Sequence, residues 1–143
     1  MTLTMIVDGA NVVGSRPDGW WRDRAGAATR LAQRLDGALV AAPELLARAV
    51  GVADGTPLNV VLVLEGAARS ATPSATDPRL RIVRAQADGD TTIARLTGEL
   101  SMSGAQIVVV TADRGLRARI HASGARTVGP GVLLRTLDAM DPP

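Results

Sequence analysis

The sequence predicts an α/β protein: a three-layer α/β/α sandwich with a central, mostly parallel sheet of about five strands. Three observations carry this expectation. Short, evenly apolar runs such as Leu58–Leu64 and Ile107–Val110 read as strands covered on both faces, as parallel sheets are. Segments whose apolar residues recur three and four apart alternate with those runs. The links are short, so each crossover returns to a parallel neighbour, and strand twist makes such crossovers right-handed.

In chain order, Leu3–Val7 is an apolar run ending at Asp8-Gly9, a buried strand followed by a sharp turn. Gly14, Pro17 and Gly19 mark an irregular loop. From Trp21 to about Val40, Ala28, Leu31, Leu35 and Leu39 share one helical face, with Arg30 and Arg34 on another. Pro43 opens a shorter helix, Glu44–Val50, which Gly51 closes. The second strand, Leu58–Leu64, ends at Glu65-Gly66. Ser70–Pro78 reads as a loop, and Leu80–Arg84, apolar and basic by turns, as an edge strand. Asp90 is expected to cap a helix over Thr91–Leu100, with Ile93, Leu96 and Leu100 at helical spacing. Ile107–Val110 is the fourth strand, followed by Thr111-Ala112-Asp113. A helix through Leu116 and Ile120 to about Ala122 stops at Gly124. Arg126–Val128 is a fifth strand, and Val132–Met140 a last helix.

At 143 residues with 46% hydrophobic content, one folded domain over 1–143 is expected. All 16 basic residues are arginine and there is no cysteine. Disulfides, thiolate nucleophiles, lysine Schiff bases and a P-loop lysine are thereby excluded. The net charge of +2 does not by itself announce a nucleic-acid binder. Met1–Val7 is cut off by Asp8 and does not read as a signal peptide, and no apolar run approaches the roughly 20 residues that span a bilayer. The expectation is a cytoplasmic protein with no membrane association.

In an open parallel sheet, ligands bind outside the carboxyl ends of the strands. Here those ends carry acids: Asp8, Glu65, the pair Asp88 and Asp90, and Asp113. Two unit charges about 4 Å apart repel by about 4 kcal/mol at an effective dielectric near 20, so a converging set needs protons, arginines or a divalent cation. A hard cation such as Mg²⁺ or Mn²⁺ suits an all-oxygen site. With His121 the only histidine, a metal-activated water is the expected nucleophile. Read singly, each acid is also a good helix cap or turn residue. Of the pair, Asp90 is the expected ligand and Asp88 an outer or solvated acid.

Asp8-Gly9-Ala10-Asn11-Val12 after an N-terminal strand resembles the opening motif of the NYN branch of the PIN-like nuclease superfamily. Gly89-Asp90-Thr91-Thr92-Ile93 and Val110-Thr111-Ala112-Asp113-Arg114-Gly115-Leu116 are similar to its third and fourth acidic motifs, and the ordered set covers most of the chain. The resemblance implies a PIN-like sandwich that hydrolyses RNA phosphodiesters with Mg²⁺ or Mn²⁺. Asp8, Asp90 and Asp113 match the metal-binding acids, and Glu65, expected as a further catalytic acid, matches a position at the end of the second strand that is usually Asp or Glu. Asn11 and Thr111 match a loop-orienting or substrate-touching amide and a small hydroxyl residue. Thr91 stands where many relatives carry a second consecutive acid, which weakens the expectation of a two-metal site.

Phosphate contacts on single-stranded or structured RNA then fall to arginine, with Arg16, Arg69 and Arg114 expected on the active edge. A homodimer and an inhibitory protein are the candidate protein partners. Trp20 and Trp21 are the only aromatics, and Trp21 is the stronger candidate for a helix-entry anchor packed on the core. His121 is expected at the surface near a helix end. Two other readings remain: a catalytically weak RNA-binding or regulatory module of the same fold, and a small-molecule phosphohydrolase. The second lacks the further Asp that a haloacid-dehalogenase motif would place two residues after Asp8.

Overall fold

The computed structural model describes residues 2–53, 55–74 and 77–141, so positions 75 and 76 of the expected loop Ser70–Pro78 lie outside the described residues. Five strands, β1 (Leu3–Asp8), β2 (Leu58–Leu64), β3 (Leu80–Arg84), β4 (Gln106–Val110) and β5 (Arg126–Val128), form one sheet. Its order is β3-β2-β1-β4-β5 and every pair is parallel. Six α-helices accompany them: α1 (Gly9–Val13), α2 (Arg24–Ala41), α3 (Pro43–Ala49), α4 (Gly89–Met102), α5 (Arg114–Ala122) and α6 (Pro130–Met140). No described helix is long and apolar enough to cross a membrane.

The pleat divides the interior into two cores. Leu3, Met5 and Val7 of β1 face one way, with Val60 and Leu62 of β2, and meet Leu31, Leu35 and Leu39 of α2, Leu46 of α3 and Leu133 and Leu137 of α6. Ile6 faces the other way, with Val61, Val63, Ile107 and Val109, and meets Ile93 and Leu96 of α4 and Leu116 and Ile120 of α5. The central strands are thus covered on both sides, which is why they read as unbroken apolar runs. The expected three-layer α/β/α arrangement is the one observed.

The first loop departs from expectation. Gly9 does not simply turn the chain: α1 begins there, with the Asp8 side chain accepting from the Asn11 N–H as its cap. Trp20–Arg22 forms a separate 3-10 turn, and α2 starts only at Arg24, where Asp23 caps it through the Gly26 N–H. Apolar periodicity marks the face a helix buries, not the residue at which its first turn starts, and this explains the shifted boundary.

Candidate active site

Strand register gathers the acids. Asp8 pairs with Val63, so Glu65 lies two residues beyond the level of Asp8, and Val7 pairs with Val110, so Thr111 lies level with Asp8. The chain runs outward through β2 and β3 on one side of β1 and then crosses to β4 on the other. The loops after β1 and β4 therefore diverge to opposite faces and leave a crevice at this switch point. Asn11 spans it: its Oδ1 accepts the Ala112 N–H at 2.7 Å, latching the first motif to the fourth.

Asp8 forms the floor, only 4% exposed. Its Oδ2 accepts from the Thr111 hydroxyl at 2.9 Å and its Oδ1 from the Asn11 N–H at 3.3 Å. Burial, with help from the charges of Asp90 and Glu65, outweighs these hydrogen bonds and pushes the Asp8 carboxyl up to about 6. Asp90 is also pushed above the usual carboxylate range, first by burial and then by Asp113, Glu65 and Asp88. Acids from four loops thus act on one another across the sheet edge.

Three of the acids also serve local structure. Asp113 Oδ1 caps α5 by accepting the Leu116 N–H at 2.8 Å, and Glu65 Oε2 accepts the Gly89 N–H at 2.6 Å. The contact at Gly89 is closest with glycine: a Cβ there would lie 3.1–3.3 Å from the Glu65 carboxyl, which would have to give way by a few tenths of an ångström. Asp88 is the cap of α4, taking both the N–H and the hydroxyl of Thr91, at 2.7 and 3.1 Å. This corrects the expectation that Asp90 is the cap. Asp90 lies in the first helical turn and accepts no hydrogen bond among the described residues, so its carboxylate stays available to the crevice. Asp88→Ala should lower the melting temperature by a few degrees with little loss of site function. Asp90→Ala should leave the melting temperature unchanged or raised, as paired thermal melts of the two variants would show.

The arginines divide differently from expectation. Arg16 does not join the acids: it forms a bidentate pair with Asp138 of α6, at 2.7 and 3.2 Å, and Arg34 bonds Asp138 and Asp141. Arg69 remains near the edge, but its guanidinium lies on the carbonyls of Gly66, Ala85 and Gln86, holding the turn after β2 against the approach to α4. Arg114 is exposed beside Asp113. Arg119, which the sequence did not single out, is the cation whose charge reaches both Asp88 and Asp90. Its placement depends on how α5 lies against α4, and no local pattern in α5 encodes that. Trp21 is 51% exposed, whereas Trp20 is half-buried, which reverses the expected order. His121 is exposed, in the last turn of α5, with its Nε2 3.1 Å from the Thr127 hydroxyl.

Among the described residues, no three acid or histidine side chains form a ready-made metal cage. The donor set is nonetheless all oxygen, and Asp90, Glu65 Oε1 and Asp113 Oδ2 have no hydrogen-bond donor among the described residues. Such a set fits a hard cation held by few carboxylates and several waters better than one enclosed by protein.

No family model matches the sequence, and no curated protein matches it. Solved structures do. A crystal structure of Rae1 (YacP) from Bacillus subtilis, in a single-substitution mutant form, matches with a TM-score of 0.67 and 21% identity over 98% of this chain and 77% of that one. A second Rae1 (YacP) crystal structure matches with a TM-score of 0.64 and 21% identity, over 96% and 74%. At this identity the likeness concerns the fold.

Proposed function

We propose that the protein is a metal-dependent ribonuclease that hydrolyses RNA phosphodiester bonds at the crevice between β1 and β4. The observation that carries this reading is the convergence of Asp8, Glu65, Asp90 and Asp113 from four loops, close enough for burial and mutual charge to raise Asp8 and Asp90. The ordered likeness of the three motifs to PIN-like nucleases supports RNA as the substrate. Asp8, Asp90 and Asp113 would hold Mg²⁺ or Mn²⁺, which when bound supplies an activated water and charge stabilisation at the phosphate. Thr111 fixes the Asp8 carboxylate by its hydroxyl, and Asn11 keeps the two loops in register. Glu65, with Oε1 open, would accept a proton or orient water, while Arg114 and Arg119 would offer planar donors to the phosphate.

The test is cleavage of a single-stranded RNA with Mn²⁺ or Mg²⁺, by the unaltered protein and by Asp113→Asn. Loss of cleavage in the variant and in chelator is expected, and equal activity of both proteins overturns the reading. Thr111→Val should reduce the rate by about 10–100-fold, as loss of a ligand's supporting partner does. Because the Thr111 hydrogen bond lowers the Asp8 pKa, its removal should also move the acid limb of the pH–rate profile to higher pH.

A second reading, an RNA-binding module with little turnover, is favoured by the lack of a preformed cage and by Thr91. Where relatives have a second acid, this chain has a residue that strengthens the Asp88 cap. RNA binding that survives chelation, with no turnover at any metal concentration, would select it.

A further inference from the structure

Beside the acidic edge, between α1 and the turn after β2, lies a cavity of about 380 Å³, of whose lining the proposed chemistry uses Glu65 alone. Gly9 and Ala10 line it on one side, Glu65 and Ala87 on another, and Trp20 and Arg24 close it. Its volume falls within the roughly 300–1,000 Å³ of small-molecule pockets. Gly9 follows Asp8 directly and Glu65 belongs to the acid group, so a ligand in the cavity adjoins any phosphate held at the edge.

The lining has a particular chemistry. Alanines and glycines make up much of the lining, with Val13 and Leu64 adding apolar wall, and its planar groups are the Trp20 indole and the Arg24 guanidinium, which lies over that ring 5.2 Å from its centroid. Indoles and guanidinium planes are the surfaces on which unpaired bases stack. Trp21 stands edge-on to Trp20, with centroids 5.9 Å apart and planes at 86°, and does not line the cavity. Glu65, also in the lining, accepts the Gly89 N–H at Oε2, which fixes the carboxylate where the cavity meets the acidic edge. A buried anchor tryptophan would fill its surroundings, whereas Trp20 is half-buried against open space.

We propose that this cavity takes one unpaired nucleobase of the RNA, adjoining the phosphodiester at the acidic edge, so that cleavage selects single-stranded sites. The proposal rests on the ribonuclease reading. A base within a duplex cannot enter the slot without leaving its stack, so the cavity discriminates by pairing state and tolerates different bases.

The experiment measures binding of a short fluorescein-labelled single-stranded RNA in Mn²⁺ to Asp8→Asn protein, with wild-type cleavage of the same RNA measured beside it. One abasic nucleotide is moved along the strand, and Trp20→Leu, Ala87→Leu and Trp21→Leu are added in turn. Ala87 is exposed, so its enlargement fills the slot without disturbing a core. Circular dichroism and melting check the fold of each variant. Base removal at one position should weaken binding by about tenfold or more, the loss of one base–aromatic stack. Trp20→Leu and Ala87→Leu should each give a similar loss and abolish the position dependence, while Trp21→Leu retains it. A flat abasic scan, a duplex bound as tightly as the single strand, or equal effects of Trp20→Leu and Trp21→Leu overturns the proposal. So does a nucleoside monophosphate that protects the cavity while the oligonucleotide is indifferent to base removal, which would assign it to a free nucleotide. If wild-type protein cleaves the RNA while the scan is flat, the cavity assignment falls alone; if it neither binds nor cleaves, the ribonuclease reading falls with it.

Discussion

Asp8→Asn is expected to remove cleavage and, at neutral pH, to make the protein more resistant to heat. Loss of a supporting partner of a metal ligand typically lowers activity 10–100-fold, so loss of a ligand charge should lower it by at least about a hundredfold. The stability gain follows from the raised carboxyl. Asp8 titrates near 6 in the fold against 3.8 for the unperturbed group, so between these values the folded state binds more protons than the unfolded one. Stability then falls as pH rises through that window. Asparagine mimics the protonated acid, and its advantage should be absent below about pH 4, grow to about pH 6, and level off at up to about 3 kcal/mol. Thermal melts at several pH values check this. Mn²⁺ at neutral pH should raise the midpoint of the unaltered protein and not that of Asp8→Asn, which reads out metal binding without turnover. A variant that is less stable at pH 7 than at pH 4, relative to wild type, contradicts the assignment.

Gly9→Ala should be the most damaging single methyl group in the chain. A Cβ at Gly9 would lie 2.6 Å from the Val63 carbonyl oxygen, with Leu64 Cδ2 at 3.1 Å and Leu62 Cδ1 at 3.3 Å. The nearest atom is backbone in the middle of the sheet, so β1 and β2 must move apart or α1 must tilt. Overpacking of this kind costs about 1–3 kcal/mol, a large share of a total stability of roughly 5–15 kcal/mol. The displacement also falls between Asp8 and Glu65, and a shift of about 1 Å at a reacting site is worth about a hundredfold in rate. Denaturant titration and cleavage rate should therefore fall together. Gly89→Ala, whose added methyl meets only the Glu65 side chain, should harm activity more than stability.

The strands were legible because burial on both faces leaves nothing but apolar residues in them, as Val60–Leu64 and Ile107–Val110 show. The positions of Asp8, Glu65 and Asp113 followed from the same logic, since parallel strands end on one edge. Finer choices were not legible. Asp88 and Asp90 are both plausible caps by composition, and the selection of Asp88 depends on where α4 starts against Glu65. Arg16 looked poised for phosphate because it follows the first motif, but its partner Asp138 lies 122 positions away, a distance no local pattern spans. Trp20 and Trp21 are neighbours of one type, and only the path of the 3-10 turn decides which faces the cavity.

The hydrogen bond from Thr111 to Asp8 joins residues 103 positions apart. Its consequence is kinetic. β1 is made before the strands that flank it yet lies at the centre of the sheet, and one of its edges is bare until β4, more than 90 residues later by the strand bounds, is synthesised and returns to cover it. Contacts of such separation slow folding, and an uncovered apolar edge invites pairing with other chains. The crevice therefore comes into being late, all at once, when β4 docks, and a chain stopped before Gln106 would carry an exposed strand and no assembled site.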